Sequence, residues 1–270
     1  MDKIKGVAGK VTILGCGGSG GVPLVTGYWG NCDPANPRNR RTRASIHVQA
    51  GDASIMVDTG PDFRMQTLTH GIKKIDAILY THEHSDHVNG IDELRYLKFV
   101  QKKLTPIYAD LNTMEELQSR FTHLFVSSAD GLYDPVAEPT AFSNDQYNKP
   151  VDIAGVPVIP FWQKHGTSGA SLGYRFGDFA YSTDVSGLDE AAIDVLQGIK
   201  TWVVDCGQFG TDFVLVHPNF DVVKSWNDRV GAGHVILTHM TPRIDYTAMA
   251  SQLPAGYEPA YDGMVLEFEI

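Results

Sequence analysis

The sequence has few cysteines, no long apolar run and no excess of positive charge. Three cysteines among 270 residues are too few for a disulfide-stabilised scaffold. The longest apolar runs fall far short of the ~20 residues that a transmembrane helix needs. The N-terminal residues also lack the apolar core that is typical of a signal peptide. We therefore expect a protein of the reducing cytoplasm that does not bind membranes.

The charge balance argues against a large nucleic-acid partner. The chain has 32 acidic and 22 basic side chains, which gives a formal net charge of −10. Binding nucleic acid without sequence preference requires a basic face that neutralises phosphates. A small anionic substrate held by a few local cations remains compatible with this charge. The composition, 43% hydrophobic and 20% charged, is that of a globular protein with a sizeable core.

Alternating runs of apolar residues predict a layered α/β domain. Strands are predicted at 11–14, 45–50, 54–58 and 76–81, and near 151–160, 171–183, 201–205, 234–238 and 264–270. Helices are predicted at 61–71, 86–100 and 111–125, and near 188–198, 219–230 and 243–252. Residues 127–150 are polar and proline-containing, which predicts a loop insertion. Because no linker interrupts the pattern, we expect a single domain over residues 1–270.

The strongest chemical signal is the segment 81–87, directly after a predicted buried strand. It places four potential metal ligands close together: His82, His84, Asp86 and His87. On an extended strand end His82 and His84 point the same way, because side chains alternate with a period of two. Neutral imidazole and carboxylate ligands suit zinc, manganese or iron. The segment therefore predicts a metal site, since a surface histidine cluster would not explain the buried strand before it.

The His-x-His-x-Asp-His motif after an apolar strand resembles the signature of the metallo-β-lactamase superfamily. The resemblance extends along most of the chain, because Asp58, His165, Asp184 and His239 lie in short motifs of matching order and spacing. It implies an αββα sandwich, with two mixed β-sheets flanked by helices and a two-metal site at one edge.

The resemblance also implies a role for each of these residues. One divalent ion would be held by His82, His84 and His165, and the other by Asp86, His87 and His239, with Asp184 between them. Two such ions, zinc or manganese rather than iron, lie ~3.5–4 Å apart and deprotonate a bridging water near neutral pH. Asp58 would orient a ligand histidine, and we expect Asp58 and Asp86 to contribute to catalysis.

Both ends of the chain resemble the phosphoribosyl cyclic phosphodiesterase subgroup of that superfamily. The glycine-rich residues 15–23, residues 253–264, and the run 203–206 followed by His217 carry this resemblance. It implies that His217 is the general acid for the leaving oxygen. The chain departs from the subgroup's cysteine cluster, because Cys32 alone remains of it and Pro242 stands where an extra histidine is expected. We therefore expect no structural zinc.

These observations predict a dinuclear metallohydrolase that cleaves a phosphodiester of a nucleotide or a phosphorylated ribose, including cyclic forms. A small phosphorylated substrate is the expected partner, and a homodimer is compatible with the sequence. One alternative is the tRNA 3′-processing nuclease branch, which needs an RNA-grasping arm and an electrostatic field that attracts RNA. A second is an accessory role like that of the pyrroloquinoline-quinone biosynthesis B protein, whose glycine-rich start is similar. Thioester or β-lactam hydrolysis would use the same site chemistry.

Three further features leave alternatives open. The arginine-rich run 38–43 is either a solvated loop or the source of a phosphate-binding guanidinium. Tyr133, Phe142 and Tyr147 in the 127–150 insertion either stack on a base at the metal edge or pack on their own domain. The spacing of Gly15, Gly17 and Gly20 matches a dinucleotide-binding fingerprint, but a loop instead of a helix follows it, which argues against NAD binding.

Overall fold

Fourteen strands and seven α-helices make up the part of the chain that the computed structural model describes, residues 6–211 and 216–270. The strands are β1 (Ala8–Gly15), β2 (Ser45–Ala50), β3 (Ala53–Val57), β4 (Ala77–Leu79), β5 (Thr105–Ala109), β6 (Ala137–Ala141), β7 (Val151–Ile153), β8 (Val156–His165), β9 (Gly169–Phe176), β10 (Phe179–Ser182), β11 (Thr201–Asp205), β12 (His234–Thr238), β13 (Tyr257–Pro259) and β14 (Val265–Glu269). The helices are α1 (Phe63–Thr69), α2 (Ser85–Val88), α3 (Leu94–Gln101), α4 (Leu111–Arg120), α5 (Glu190–Leu196), α6 (Phe220–Val230) and α7 (Tyr246–Ala250).

The strands form two mixed sheets of seven. The first has the order β14-β1-β2-β3-β4-β5-β6 and the second β13-β12-β11-β10-β9-β8-β7. In the first sheet β3 to β6 are parallel, and in the second β10 to β13 are parallel. Helices flank both sheets, and this confirms the predicted αββα class.

Apolar side chains from both sheets form the main core between them. Ile46 and Leu79 from the first sheet and Phe161 and Tyr174 from the second are fully buried in it. A second cluster, which includes Leu117 of α4, packs the helices onto the first sheet. Such burial stabilises the fold by roughly 25 cal/mol per Å² of apolar surface. Within residues 6–211 and 216–270, no helix is long and apolar enough to cross a bilayer.

Several strands end at one edge of the sandwich, which we call the site edge. β3 and β4 are parallel neighbours, and β8, β10 and β12 run in a common direction in the other sheet. The residues that follow their carboxyl ends therefore meet there. These residues are Asp58, the 81–87 segment, His165, Asp184 and His239.

The predicted helix at 86–100 is divided in the structure. α2 ends at Val88, a 3₁₀ turn covers Ile91–Glu93, and α3 begins at Leu94. Gly90 lies at the break because its backbone packs on the 59–60 segment, where a Cβ atom would come 2.3 Å from the Gly60 carbonyl oxygen. The close approach permits glycine alone and interrupts the helix.

The structure also divides two predicted strands and adds one. The 151–160 run forms β7 and β8 around a turn, and the 171–183 run forms β9 and β10 around Gly177, which has a φ of 54°. Residues 127–150 are not a loop throughout, because β6 lies within them and pairs with β5.

Candidate metal centre

The first group of candidate ligands comprises His82, His84 and His165. Their ligand atoms lie within 4.8 Å of one another, and His165 Nε2 is 3.3 Å from His84 Nδ1. His82 and His165 are buried, whereas His84 is exposed. Two of the three side chains are therefore held in the protein interior, and the group is open to solvent on the side of His84.

The second group comprises Asp86, His87 and His239, and Asp184 lies between the two groups. Asp184 Oδ2 is 3.0 Å from His87 Nε2 and 3.2 Å from His239 Nε2. Its other oxygen, Oδ1, is 3.7 Å from His165 Nε2. Asp86 Oδ2 is 3.3 Å from His87 Nε2. The structure thus brings together all seven residues in the arrangement that the resemblance implied, with one Asp184 oxygen facing each group.

Three strand ends turn sharply into this centre. Asp58, Asp184 and His239 have φ values of 63°, 50° and 58°, in the left-handed region that few residues other than glycine adopt. Such backbone conformations cost free energy and cluster at functional sites. Asp58 and His239 follow directly on β3 and β12, Asp184 follows β10 after one intervening residue, and all three turn a polar side chain towards the same point.

The donor set fits a divalent metal ion. His82 Nε2, His87 Nε2 and His239 Nε2 are buried and have no hydrogen-bond partner in the described part of the chain. Buried polar atoms without partners are costly, and a cation would satisfy all three nitrogens together with the adjacent carboxylates. Imidazole and carboxylate groups are ligands that zinc, manganese and iron accept.

A metal ion would displace protons from two of the candidate histidines. Burial would lower the pKa of His87 and that of His239, but Asp184 outweighs it and raises both. His82 differs from them. Burial lowers the pKa of His82 well below its usual value, so its imidazole is neutral and retains a free lone pair. Burial alone would raise the pKa of Asp184, but His239 and His87 outweigh it and hold that pKa well below the usual range. His239 and His87 likewise outweigh burial and lower the pKa of Asp86. Both carboxylates are therefore ionised.

Asp58 orients a histidine of each group. Its Oδ2 accepts a hydrogen bond from His87 Nδ1 at 2.7 Å and one from Thr81 Oγ1 at 2.8 Å. Because Thr81 Oγ1 donates to Asp58, it accepts from His82 Nδ1 at 3.0 Å. This network places the proton of both imidazoles on Nδ1 and leaves Nε2 of each free to bind a metal. Sequence reasoning missed Thr81, although it immediately precedes the ligand motif.

His217 lies beside both groups and is held by Asp205. His217 Nδ1 is 2.7 Å from Asp205 Oδ2, and its ring stacks on that of His239 with centroids 4.5 Å apart. Asp205 is buried, and its Oδ1 accepts a hydrogen bond from the Gly207 amide. Asp205 was not predicted as a site residue. The feature that could have identified Asp205 is its position at the carboxyl end of β11, which lies between the strands that precede Asp184 and His239.

The glycine-rich loop closes one side of the centre. A Cβ atom on Gly18 would lie 3.3 Å from His239 Cε1, so the loop approaches this candidate ligand closely. Arg43 borders the same loop, where its guanidinium pairs with Asp62 at 3.0 Å and its Nε donates to the Ser19 carbonyl.

In the rest of the arginine run, Arg38 and Arg40 are exposed and Arg41 is buried. Arg41 is only 2% exposed and donates a hydrogen bond to the Ile244 carbonyl. Arg38 stacks on Tyr246 at 4.8 Å, and Arg40 lies over Trp29 at 5.1 Å. These contacts join the run to the C-terminal part of the chain and to the loop before it.

Of the two alternatives for Phe142, the structure favours packing on its own domain. Phe142 is 4% exposed and packs between Tyr108 and Tyr174, with ring centroids 5.9 and 6.4 Å away. It follows β6 directly, and pairing of that strand carries the ring into the core. Tyr133 is exposed beside Arg95, and Tyr147 is half-buried.

Comparison with known proteins identifies the family. A model of the beta-lactamase superfamily domain matches residues 53–240. The chain belongs to this superfamily, a metallo-β-lactamase-fold hydrolase family. The crystal structure of a diphosphatase from the PhnP family is 33% identical, with a TM-score of 0.85 over 97% of this chain and 98% of that one. This likeness supports the predicted subgroup.

Two further relatives are more distant or longer. Zinc-bound PqqB from Methylobacterium extorquens shares the fold at 19% identity and a TM-score of 0.71, over 95% of this chain and 99% of that one. An octanoyltransferase from Porphyromonas gingivalis is 28% identical over 261 residues. The match covers 94% of this chain but 51% of the octanoyltransferase, so the chain spans about half the length of that relative.

Proposed function

We propose that the chain is a phosphodiesterase that uses two divalent ions, zinc or manganese, to hydrolyse a small phosphodiester of a nucleotide or a phosphorylated ribose. The observation that carries the proposal is Asp184, whose two carboxylate oxygens face two separate ligand groups. Bound there, two divalent ions would activate a water nucleophile and neutralise the phosphate oxygens.

His217 is suited to protonate the leaving oxygen. The carboxylate of Asp205 accepts a hydrogen bond from His217 Nδ1, which fixes the ring and directs Nε2 away from Asp205. The ring lies against His239 and within 6.0 Å of the His165 ring, beside both ligand groups. A general acid positioned in this way contributes typically 10²–10⁴-fold to the rate.

The charge of the chain favours small substrates over tRNA. A net charge of −10 repels a polyanion, whereas a single phosphodiester needs compensation only at the metal centre. The likeness to a diphosphatase over almost the full length of both chains supports testing diphosphate esters beside phosphodiesters, since the same site would bind either group.

The proposal is tested with a substrate panel. Protein loaded with zinc or manganese is assayed on 2′,3′-, 3′,5′- and 1,2-cyclic phosphates, bis(p-nitrophenyl) phosphate and a diphosphate ester. We expect turnover of at least one phosphodiester, loss of that turnover in Asp184→Asn, and full activity in His123→Gln, which changes an exposed histidine away from the centre. No hydrolysis of any phosphodiester in the panel with either metal would overturn the proposal.

A further inference from the structure

A groove of about 580 Å³ lies at the ends of strands that neighbour the one leading into the ligand motif. Asp110 and Ser143 line it, and they follow β5 and β6, which run parallel to β4. Since neighbouring strands are ~4.8 Å apart, the end of β6 lies about 10 Å from the end of β4, after which the ligand motif begins. Trp162, on another wall of the groove, precedes His165 by three residues on β8, which is again about 10 Å along the strand.

One wall of the groove is aromatic. The rings of Tyr147 and Trp162 are 4.9 Å apart at an angle of 40°. Trp162 is 37% exposed, and its indole nitrogen has no hydrogen-bond partner in the described part of the chain. Burial and the Asp110 carboxylate raise the pKa of Tyr147 to about 12, so its hydroxyl remains protonated. This wall offers ring faces to a planar ligand and two hydrogen-bond donors at their rims.

Asp110 supplies an acceptor that no protein group uses. It is 6% exposed, and its Oδ1 accepts the Thr113 amide at the start of α4. Its Oδ2 has no hydrogen-bond partner within residues 6–211 and 216–270 and remains accessible from the groove that Asp110 lines. Glu115 adds a second carboxylate, and the residues that line the groove include no lysine or arginine. The groove is therefore suited to N–H donors and unsuited to a phosphate.

We propose that this groove binds the nucleobase of a nucleotide substrate whose phosphate lies at the metal centre, and that it prefers bases with an amino group. The inference rests on the proposed function and narrows its substrate class. A base stacks on the Trp162 and Tyr147 rings, as bases do on aromatic side chains in other proteins. An exocyclic amino group donates to Asp110 Oδ2, since aspartate and glutamate accept hydrogen bonds from such groups. The volume of the groove is in the range of small-ligand pockets.

Isothermal titration with nucleoside monophosphates tests the groove directly. The full chain, loaded with metal, is titrated with AMP, CMP, GMP and UMP. We expect the three amino-bearing nucleotides to bind more tightly than UMP. In Trp162→Leu the dissociation constants for all four should rise about tenfold or more, because stacking is lost. The matched control Trp29→Phe, outside the groove, should leave them unchanged.

Asp110→Asn separates recognition from structure. Asparagine caps a helix as well as aspartate does, so α4 is retained, which thermal unfolding checks. We expect AMP, CMP and GMP to bind about tenfold more weakly, as for loss of a hydrogen bond to a charged group, and UMP to be unaffected. No binding of AMP to the wild type, or equal dissociation constants in wild type, Trp162→Leu and Asp110→Asn, would overturn the proposal.

The two proposals fail in different ways. If no phosphodiester is hydrolysed but nucleotide binding depends on Trp162 and Asp110, the proposed function fails and the groove stands. If the wild type hydrolyses a nucleotide and the KM is the same in Trp162→Leu, the proposed function stands and the proposed role of the groove is wrong. A lower kcat with an unchanged KM would also count against the groove, because stacking remote from the phosphate should weaken substrate binding first.

Discussion

Replacement of Asp58 by asparagine should weaken metal binding at both ligand groups. The amide has the shape of the carboxylate but carries one acceptor and one donor, whereas Asp58 now accepts three hydrogen bonds, from the Thr81 amide, Thr81 Oγ1 and His87 Nδ1. Whichever way the amide is oriented, at least one buried donor faces another donor. If the NH₂ group faces His87, that imidazole moves its proton to Nε2, which can then no longer bind a metal.

The expected magnitude follows from the number of affected ligands. Loss of a group that orients a ligand histidine typically costs 10–100-fold in metal affinity, and Asp58 controls His87 directly and His82 through Thr81. We therefore expect the weaker of two zinc dissociation constants to rise at least 10-fold in Asp58→Asn. The unpaired donor should also lower the free energy of unfolding by about 1–3 kcal/mol.

The assay is competition for zinc with a chromogenic chelator, supported by urea unfolding of the metal-free protein. Asp62→Asn is the control, because Asp62 pairs with Arg43 near the centre without contacting a candidate ligand. Thr81→Val keeps the bond from His87 to Asp58 but removes the link to His82, so it should weaken one ion only. Zinc affinity within twofold of wild type in Asp58→Asn would refute the orienting role.

Three further predictions concern other parts of the molecule. His217→Ala should lower kcat by ~10²–10⁴-fold for a substrate with an alkoxide leaving group and far less for one with p-nitrophenolate, while the metal content stays unchanged. Equal losses of kcat on both substrates, or a loss of bound metal, would contradict its role as an acid. Phe142→Ala should reduce the free energy of unfolding, measured in urea, by about 3–5 kcal/mol. Tyr133→Ala should change it by less than ~0.5 kcal/mol. Similar changes in both variants would contradict the buried position of Phe142 and the exposed position of Tyr133. Burial lowers the pKa of His47 to about 4, so at this residue the unfolded chain binds more protons than the native one between pH 6.5 and 4. The contribution of His47 to the free energy of unfolding should therefore fall by about 3 kcal/mol as the pH drops through this range. An equal pH dependence of wild type and His47→Gln would disprove it.

The sequence predicted best what depends on local pattern. The 81–87 segment could be placed at a strand end because the apolar run before it is short and continuous. The meeting of residues far apart in sequence, such as His165 and His239, was implied by the family resemblance. The layered α/β class, the β2–β3 hairpin and most helices were also predicted from local pattern, whereas the αββα sandwich was implied by the resemblance to the metallo-β-lactamase superfamily.

What the sequence did not reveal depends on distant partners. β6 has an exposed, proline-containing pattern typical of a loop, and only its pairing with β5 makes it a strand. Arg41 is buried because a carbonyl 203 positions away accepts its hydrogen bond. Phe142 enters the core for the same kind of reason, since its neighbours Tyr108 and Tyr174 come from both sheets. No local pattern encodes such contacts.

The most direct test of the account is a measurement of bound metal. Protein purified after reconstitution with zinc or manganese is freed of excess metal and subjected to elemental analysis, beside Asp184→Ala and the control Asp52→Ala, which changes an exposed turn carboxylate. The account predicts about two ions per chain in the wild type and in the control. It predicts that Asp184→Ala loses both ions, because one carboxylate faces both ligand groups. Trace metal in the reconstituted wild type, or two ions retained in Asp184→Ala, would contradict it.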